Sequence, residues 1–303
     1  MGVTLLRFPR PVQAAAGCPS EYNYEVRMLG GSRFEITSWL PLLDQLSRVG
    51  ARCAAQNPGS ELVPVGALHS SSMDGSTRPV GAPVVIVIDD FGYRDDWVVE
   101  GFLSVESALT IAVIPGHQFS ADTAARAHRR GHEVLLHMPM QALRPVPGEI
   151  EYRLTTAMSN TEISRRVRRA IAEIPQAVGM NNHQGSAATG DMRVMNAVRA
   201  ELLQQGMFFL DSFTSLDSVA VLSMRAGGVA ATRRDLFLDS VDDVGYVLEQ
   251  LRLLGEIADG QGYAVGIGHV RPNTLIAMQE ALPQLKASGQ RFTFLSAVVG
   301  LTP

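Results

Sequence analysis

Two adjacent aspartates, Asp89 and Asp90, directly follow the apolar run "VVIVI" at residues 84–88. Four later apolar runs also end in polar side chains, which are His137, Asn181-Asn182-His183, Asp211-Ser212 and His269. One aspartate at such a point is often only a turn former or a helix cap. Polar groups at five run ends predict a shared site, because the carboxyl ends of strands meet at one edge of an α/β fold.

The residue types at these run ends indicate metal binding. Carboxylate and neutral imidazole suit Zn²⁺ and related ions, and three protein ligands leave one position open for water. Such an ion lowers the pKa of water to near neutrality, so the site could hydrolyse a substrate. Consecutive strand residues point to different sides, so one aspartate could bind the ion while the other reaches the water. We therefore predict a divalent metal ion, Zn²⁺, as the cofactor.

The elements that must position these residues alternate between apolar runs and helical patterns. Short, fully apolar runs are typical of strands that are buried on both faces. The helical patterns have readable ends. Ser120 is predicted to cap a helix that Gly131 closes, and Asp191 to open one that Gly206 closes. Ser159 with Glu162 forms a capping box before a stripe of Ile163, Val167 and Ile171. This alternation predicts a parallel sheet or a barrel.

The chain divides near Pro83 in composition. Residues 1–56 contain one plausible amphipathic helix at residues 38–50, and residues 57–82 are rich in Gly, Pro and Ser. We therefore predict a poorly structured extension and linker over residues 1–82 and a βα domain over residues 83–303. Cys18 follows a segment similar to a lipoprotein cleavage site, but arginines and prolines break the preceding stretch, so the pattern predicts no signal peptide.

Charge and hydropathy exclude two classes of partner. The formal net charge is −4, so the chain lacks the basic character expected of a nucleic-acid binder. The sequence also has no apolar stretch of ~18 residues, so we predict no transmembrane segment. Cys18 and Cys53 have no metal-ligand spacing and are not predicted to be ligands or nucleophiles.

The ordered segments together resemble the divergent polysaccharide deacetylase family, a branch of the polysaccharide deacetylase superfamily. The segments are "IDD", "GHEVLLHMPM", "AVGMNNHQGS", "FFLDS" and "IGHVRP". The resemblance covers residues 82–300. It implies an irregular (β/α) barrel, a metal-dependent N-deacetylase site, and a polysaccharide or oligosaccharide substrate. It also implies a periplasmic or cell-envelope location.

The resemblance also implies roles for individual residues. Asp89 matches the catalytic base of the superfamily, and Asp90 matches its metal-binding aspartate. His137 matches the first histidine of a paired motif, and His269 matches the late histidine that acts as general acid.

The sequence departs from the superfamily at the second histidine of that pair, where this chain has Gln141. We therefore choose His183 as the third metal ligand. The arginine-proline-tyrosine motif of the superfamily has no clear counterpart. Asn182, Asp211 and Arg234 are candidates for substrate contact or for supporting the ligands.

Several of these residues also have a purely structural interpretation. Asp89 and Asp90 could form a turn and a helix cap, and His137 could be a hydrogen-bonded core residue. We interpret His69, His117, His128 and His132 as solvated. The run of arginines at residues 165–169 surrounds a buried stripe and is interpreted as a solvated helix face.

Three functions follow from the same residues. The first is a metal-dependent hydrolase that removes N-acetyl groups from amino sugars of a cell-envelope polysaccharide. The second is a catalytically silent barrel that binds a glycan or a partner, which Gln141 favours. The third is a two-carboxylate glycosidase using Asp90 and Asp211, which leaves the histidines unexplained.

Overall fold

The computed structural model describes residues 3–8, 22–29, 33–35, 81–144 and 147–300. The chain divides into two units, residues 1–75 and 76–303. In the first unit, three strands form an antiparallel sheet: β1 (Val3–Phe8), β2 (Tyr22–Leu29) and β3 (Arg33–Glu35), in the order β1-β2-β3. The sequence pattern predicted no strand there. The helix predicted at residues 38–50, Cys18, Cys53, His69 and most of the predicted linker lie outside the described residues.

The second unit contains nine strands and seven α-helices among its described residues. The strands are β4 (Pro83–Phe91), β5 (Thr110–Val113), β6 (Glu133–Met140), β7 (Gly179–Gln184), β8 (Phe208–Asp211), β9 (Ala231–Arg233), β10 (Leu236–Phe237), β11 (Ala264–His269) and β12 (Arg291–Thr293). The helices are α1 (Trp97–Leu103), α2 (Ser120–Arg129), α3 (Asn160–Glu173), α4 (Met192–Gln205), α5 (Ala220–Ala226), α6 (Val244–Gln261) and α7 (Pro272–Ala287).

These strands form one parallel sheet in the order β10-β11-β4-β5-β6-β7-β8-β9, with β12 paired to the beginning of β4. All the strand pairings in this sheet are parallel. The sheet curls into an open (β/α) barrel, with a helix between all successive strands of this unit except β9 and β10. The predicted fold class is confirmed.

The strands bury apolar side chains on both faces. On one face, residues such as Ile86 and Ile88 of β4 belong to a cluster that includes helix residues such as Phe102. On the other face, Val85 and Val87 pack in a separate cluster with residues of other strands and of the chain end after β12. Full burial of such side chains stabilises the fold by ~1.5–3 kcal/mol each. The second face is the barrel interior, because the helices cover the first.

The helix ends agree with the sequence patterns in two of three cases. Ser159 caps α3 by accepting a hydrogen bond from the N–H of Glu162, and Asp191 caps α4, which ends at Gly206 with φ 66°. The prediction that Ser120 caps α2 is wrong. Its hydroxyl donates to the carbonyl oxygen of Ile114, because Ser120 lies inside the first turn and turns towards the preceding loop.

The histidines interpreted as solvated differ in their environments. His128 is exposed, as predicted. His132 is buried, and its Nε2 lies 3.1 Å from the carbonyl oxygen of Leu103, so the prediction for His132 is wrong. His117 is half-buried with its ring 4.1 Å from that of Tyr93. Among the described residues, no helix is long and apolar enough to cross a membrane.

Candidate metal centre and active site

Strand alternation brings several polar side chains to the carboxyl end of the barrel interior. Asp89 follows Val85 and Val87 on the inward face of β4 and pairs in register with His269 of β11. His137 of β6 pairs in register with Asn181 of β7. Because side chains alternate along a strand, Asn181 and His183 lie on the same face. The predicted shared edge therefore exists.

Asp90 reaches the same site by a different route. Regular alternation would point Asp90 away from Asp89, but β4 carries a bulge between Ile88 and Phe91 where it pairs with β5. Asp90 lies within this bulge with φ 70°, in the left-handed region. Both aspartates consequently approach the His137 ring. Its Nε2 lies 3.6 Å from Asp89 Oδ2 and 3.3 Å from Asp90 Oδ1.

Three side-chain atoms form a nearly equilateral triangle. The Oδ1 atom of Asp90 lies 3.3 Å from His137 Nε2 and 3.1 Å from His183 Nδ1, and the two nitrogens are 3.2 Å apart. Tetrahedral ligands at the zinc bond length of ~2.0–2.1 Å would be separated by ~3.3 Å. Asp90 Oδ1 is also buried and has no hydrogen-bond partner among the described residues. These three residues therefore fit a divalent metal ion.

Asn181 sets the orientation of His137. Its amide nitrogen lies 2.9 Å from Asp89 Oδ1, a carboxylate oxygen that can only accept, so the amide oxygen faces Nδ1 of His137 at 2.8 Å. His137 Nδ1 therefore carries a ring proton, which leaves Nε2 as the ring atom directed at the other two corners of the triangle. An outer hydrogen bond of this kind is typical of histidines that bind metals.

His269 lies beside Asp89 and is held by Asp239. The ring Nδ1 lies 2.7 Å from Asp239 Oδ1, and Thr274 donates to the other oxygen at 2.7 Å. Burial lowers the pKa of His269, but the hydrogen bond and charge of Asp239 outweigh burial and raise it. This pair favours the imidazolium form, which a general acid needs.

The two aspartates have opposite electrostatic environments. Burial raises the pKa of Asp89, although His137 and His269 oppose that effect. Burial also acts to raise the pKa of Asp90, but the two imidazoles beside it outweigh burial and hold this pKa far below its usual range. Asp90 therefore stays ionised as a ligand, whereas Asp89 has the greater tendency to take up a proton.

Residues 86–299 match the family described as divergent polysaccharide deacetylase. The chain belongs to the divergent polysaccharide deacetylase family. The resemblance inferred from the sequence segments is therefore confirmed.

Two relatives are each 35% identical to this chain over the aligned residues. The uncharacterized protein YibQ of Escherichia coli (strain K12) is 35% identical over 210 residues, 69% of this chain and 65% of YibQ. A protein of Haemophilus influenzae (strain ATCC 51907 / DSM 11121 / KW20 / Rd) is 35% identical over 204 residues, 67% of this chain and 71% of that protein. The matched part of this chain thus spans about two thirds of these relatives.

A solved structure shares the fold of the barrel. The crystal structure of the uncharacterized protein ATU2773 from Agrobacterium tumefaciens C58 has a TM-score of 0.68 at 21% identity. The similarity covers 74% of this chain and 92% of that chain. At this level of identity the similarity shows a common architecture.

Gln141 makes side-chain hydrogen bonds to Thr156 rather than to a residue of the candidate metal centre. Its amide oxygen accepts hydrogen bonds from the N–H and the hydroxyl of Thr156, at 2.8 and 3.1 Å. His183 of the neighbouring strand, β7, instead supplies the third corner of the triangle. In the pairing of β6 with β7, His183 lies opposite Pro139. The geometry therefore supports the choice of His183 over position 141.

The three residues predicted to contact substrate or support the ligands all form hydrogen bonds with the segment that follows β8. Asn182 is buried and bonds to the backbone of Ser212 and Gln184. Asp211 is buried and accepts from the N–H of Phe213 and the hydroxyl of Ser218, which argues against its use as a glycosidase carboxylate.

Arg234 supports the site from a neighbouring strand end. Its guanidinium donates to the carbonyl oxygens of Ser212 and Phe213 and lies 3.6 Å from the centre of the Phe237 ring. The Phe237 ring in turn stacks on His269, with centroids 5.8 Å apart. Arg234 therefore supports the surroundings of His269.

Two site residues, Asn181 and Asp239, were given no role by the sequence. Asn181 was recognised only as part of the "NNH" segment, and choosing it over Asn182 requires the register of β6 and β7. Asp239 ends the weak apolar run "LFLD". Like the other site residues, Asp239 is a polar residue after an apolar run. The strand before it, β10, is only two residues long, so the apolar run was too weak to single it out.

Proposed function

We propose that this chain is a metal-dependent hydrolase that removes N-acetyl groups from amino sugars of a cell-envelope polysaccharide. The observation that carries the proposal is the triangle of Asp90, His137 and His183 beside two further titratable groups, Asp89 and His269. Membership of a deacetylase family supports the reaction class.

The residues of the chain divide the proposed reaction between them. Asp90, His137 and His183 would hold the ion, which we propose to be Zn²⁺, and a bound ion of this kind supplies an acidic water and polarises a carbonyl group. Asp89 is the base: Asn181 binds its Oδ1, while its Oδ2 lies towards His137 and can accept a proton. Burial raises the pKa of Asp89 and so favours proton uptake.

His269 is the acid in this proposal. Because Nδ1 is bonded to Asp239, Nε2 is the ring atom left to protonate the leaving amine. The charge of Asp239 stabilises the imidazolium before the transfer. Hydrolysis of an acetamido group requires a base for the water and an acid for the leaving amine, and Asp89 and His269, which pair in register on adjacent strands, can supply both.

The second candidate function is a silent barrel that binds a glycan. Gln141 favours it, because the superfamily's second motif histidine is absent. The site geometry supports hydrolysis more strongly, since a binding pocket has no chemical need for a base, an acid and three converging ligands together.

Acetate release tests the proposal directly. The wild-type protein, loaded with Zn²⁺, is incubated with N-acetylglucosamine oligomers and with peptidoglycan fragments, and acetate is measured. We expect release by the wild type and its loss after chelation. Tight glycan binding without any acetate release would support the silent barrel instead. We further propose a periplasmic or cell-envelope location, where such polymers occur, and cell fractionation tests it.

A further inference from the structure

Tyr93 is an exposed aromatic residue beside the candidate metal centre. It follows the proposed ligand Asp90 by three residues, so the two Cα atoms are at most ~11 Å apart. The residue is 43% exposed, and Trp97 is the other exposed aromatic residue among those that the structure describes. A single exposed ring needs no functional explanation. The contacts that hold the Tyr93 ring in place distinguish it from an ordinary surface side chain.

Gly92 brings the chain before Tyr93 against the loop that follows β5. Gly92 has φ 116°, and a Cβ atom there would lie 2.8 Å from Ser120 Oγ and 2.9 Å from the carbonyl oxygen of Ile114. The carbonyl oxygen of Gly92 accepts from the N–H of Phe119 at 3.3 Å. Only glycine fits such a close approach at a positive φ, so the backbone that carries Tyr93 is held against this loop.

Side chains from two other loops fix the Tyr93 ring. His117, in the loop after β5, packs against one side of it, with ring centroids 4.1 Å apart and an angle of 49° between the planes. Glu149, in the loop after β6, accepts a hydrogen bond from the Tyr93 hydroxyl. An exposed side chain normally keeps its rotamer freedom, and fixing it costs entropy. The loops after three strands therefore hold one ring, whose remaining side is open to solvent.

Glu149 is itself held in an unfavourable backbone conformation. It has φ 47°, in the left-handed region, which costs free energy for a residue other than glycine. Its side chain is only 6% exposed and also accepts from Arg153 at 3.4 Å. Strained residues of this kind cluster at functional sites, because the surrounding structure must maintain them. The contact between Glu149 and Tyr93 therefore points to a function of the Tyr93 ring.

The Tyr93 ring also lies close to the metal centre. Burial raises the pKa of the Tyr93 hydroxyl, Glu149 adds to this effect, and the charge of Asp90 acts in the same direction. Tyr93 borders the triangle of Asp90, His137 and His183 without being part of it. Its ring is therefore placed to contact the part of a substrate that extends away from the reacting group.

We infer that the open side of Tyr93 is a stacking surface for a sugar ring, the one next to the amino sugar that loses its acetyl group. The inference rests on the proposed function. The C–H groups on the faces of a pyranose ring are apolar and pack on an aromatic ring, while the hydroxyl groups around its edge stay in water. A ring that is already fixed loses little entropy on such contact. Tyr93 thus determines specificity by selecting oligosaccharides over single sugars.

The dependence of binding on glycan length tests the inference without hydrolysis. The full-length protein, treated with chelator, is titrated calorimetrically with N-acetylglucosamine and with its trisaccharide. We expect the wild type to bind the trisaccharide more tightly. Tyr93→Ala should lose ~10-fold in trisaccharide affinity, the size of one stacking contact, and should bind the monosaccharide like the wild type.

Two matched variants separate stacking from other roles of Tyr93. Tyr93→Phe keeps the ring without the hydroxyl and should bind the trisaccharide nearly as tightly as the wild type. Trp97→Ala removes the other exposed aromatic side chain and should change neither affinity. Zn²⁺ affinity should be the same in Tyr93→Ala as in the wild type, because the ring is not a ligand. Both positions are exposed, so none of these substitutions opens the core.

The outcomes distinguish the stacking surface from the proposed function. Unchanged trisaccharide affinity in Tyr93→Ala, an equal loss in Tyr93→Phe or in Trp97→Ala, or a wild type that binds both sugars alike would overturn the stacking surface. Lower Zn²⁺ affinity in Tyr93→Ala would show instead that the ring supports Asp90. A wild type that binds the trisaccharide through Tyr93 but releases no acetate would overturn the proposed hydrolase and leave the stacking surface in place.

Discussion

His269 directs two hydrogen bonds to one carboxylate: its backbone N–H and its ring Nδ1 each lie 2.7 Å from an oxygen of Asp239. The two contacts fix both the position of the residue and the rotation of its ring. Asp239 is buried, so its charge acts on the ring with little screening by solvent.

The first prediction concerns Asp239→Asn. Loss of the negative charge should lower the pKa of His269, because Asp239 is what raises it against burial. A general acid must be protonated, so the alkaline limb of the pH profile of kcat/KM should move to lower pH. We expect kcat to fall ~10–100-fold, part of the ~10²–10⁴ that general acid catalysis contributes. Zn²⁺ affinity measured beside the pH profile should not change, and a lower affinity would contradict this role.

The same pair predicts how stability depends on pH. The pKa of His269 is raised in the folded state, above its ordinary value of ~6.5. The stabilisation is therefore complete below pH ~6.5 and is lost as the pH rises through the higher folded value. Urea unfolding at several pH values, with chelator present, should show this slope in the wild type. Asp239→Asn should lack it.

A further prediction concerns the three proposed ligands. Asp90→Asn, His137→Ala and His183→Ala should each weaken Zn²⁺ binding on the order of 100-fold or more, since a protein ligand matters at least as much as its outer hydrogen bond. Metal content after dialysis measures this. His128→Ala, at an exposed position on α2, is the control and should keep its metal. Full metal content in His183→Ala would remove it from the ligand set.

Asp89→Asn should separate hydrolysis from metal binding. The amide keeps the shape of the side chain and can still accept from Asn181, but it cannot take a proton from water. We expect bound Zn²⁺ to be unchanged and acetate release to fall ~10²–10⁴-fold. Activity equal to that of the wild type would show that another group is the base.

The division of the chain predicts that the barrel folds alone. A protein of residues 76–303 keeps the contacts at the start of β4, including the hydrogen bonds of Ala82 with Asp259 and Gln290. We expect one cooperative unfolding transition and the Zn²⁺ affinity of the full chain. A gradual transition or lost binding would show that residues 1–75 belong to the folded unit.

The sequence predicted the barrel and the meeting of Asp89, His137, His183 and His269, because strand ends and alternation are visible in residue types. It could not predict how Asp90 joins them. Alternation alone points Asp90 outwards, and only the bulge and a φ of 70° turn it inwards. The choice between Asn181 and Asn182 likewise depends on register, which one sequence does not contain.

The backbone conformation of Asp90 also determines which substitutions are favoured at this position once activity is no longer selected. A non-glycine residue in the left-handed region costs on the order of 1 kcal/mol, and Asn and Gly are the residues that tolerate it best. Under the proposed function, a descendant released from selection for hydrolysis would gain or keep stability by exchanging Asp90 for either one. We expect inactive lineages to show Asn or Gly at this position early, while the buried partners Asn181 and Asp239 persist.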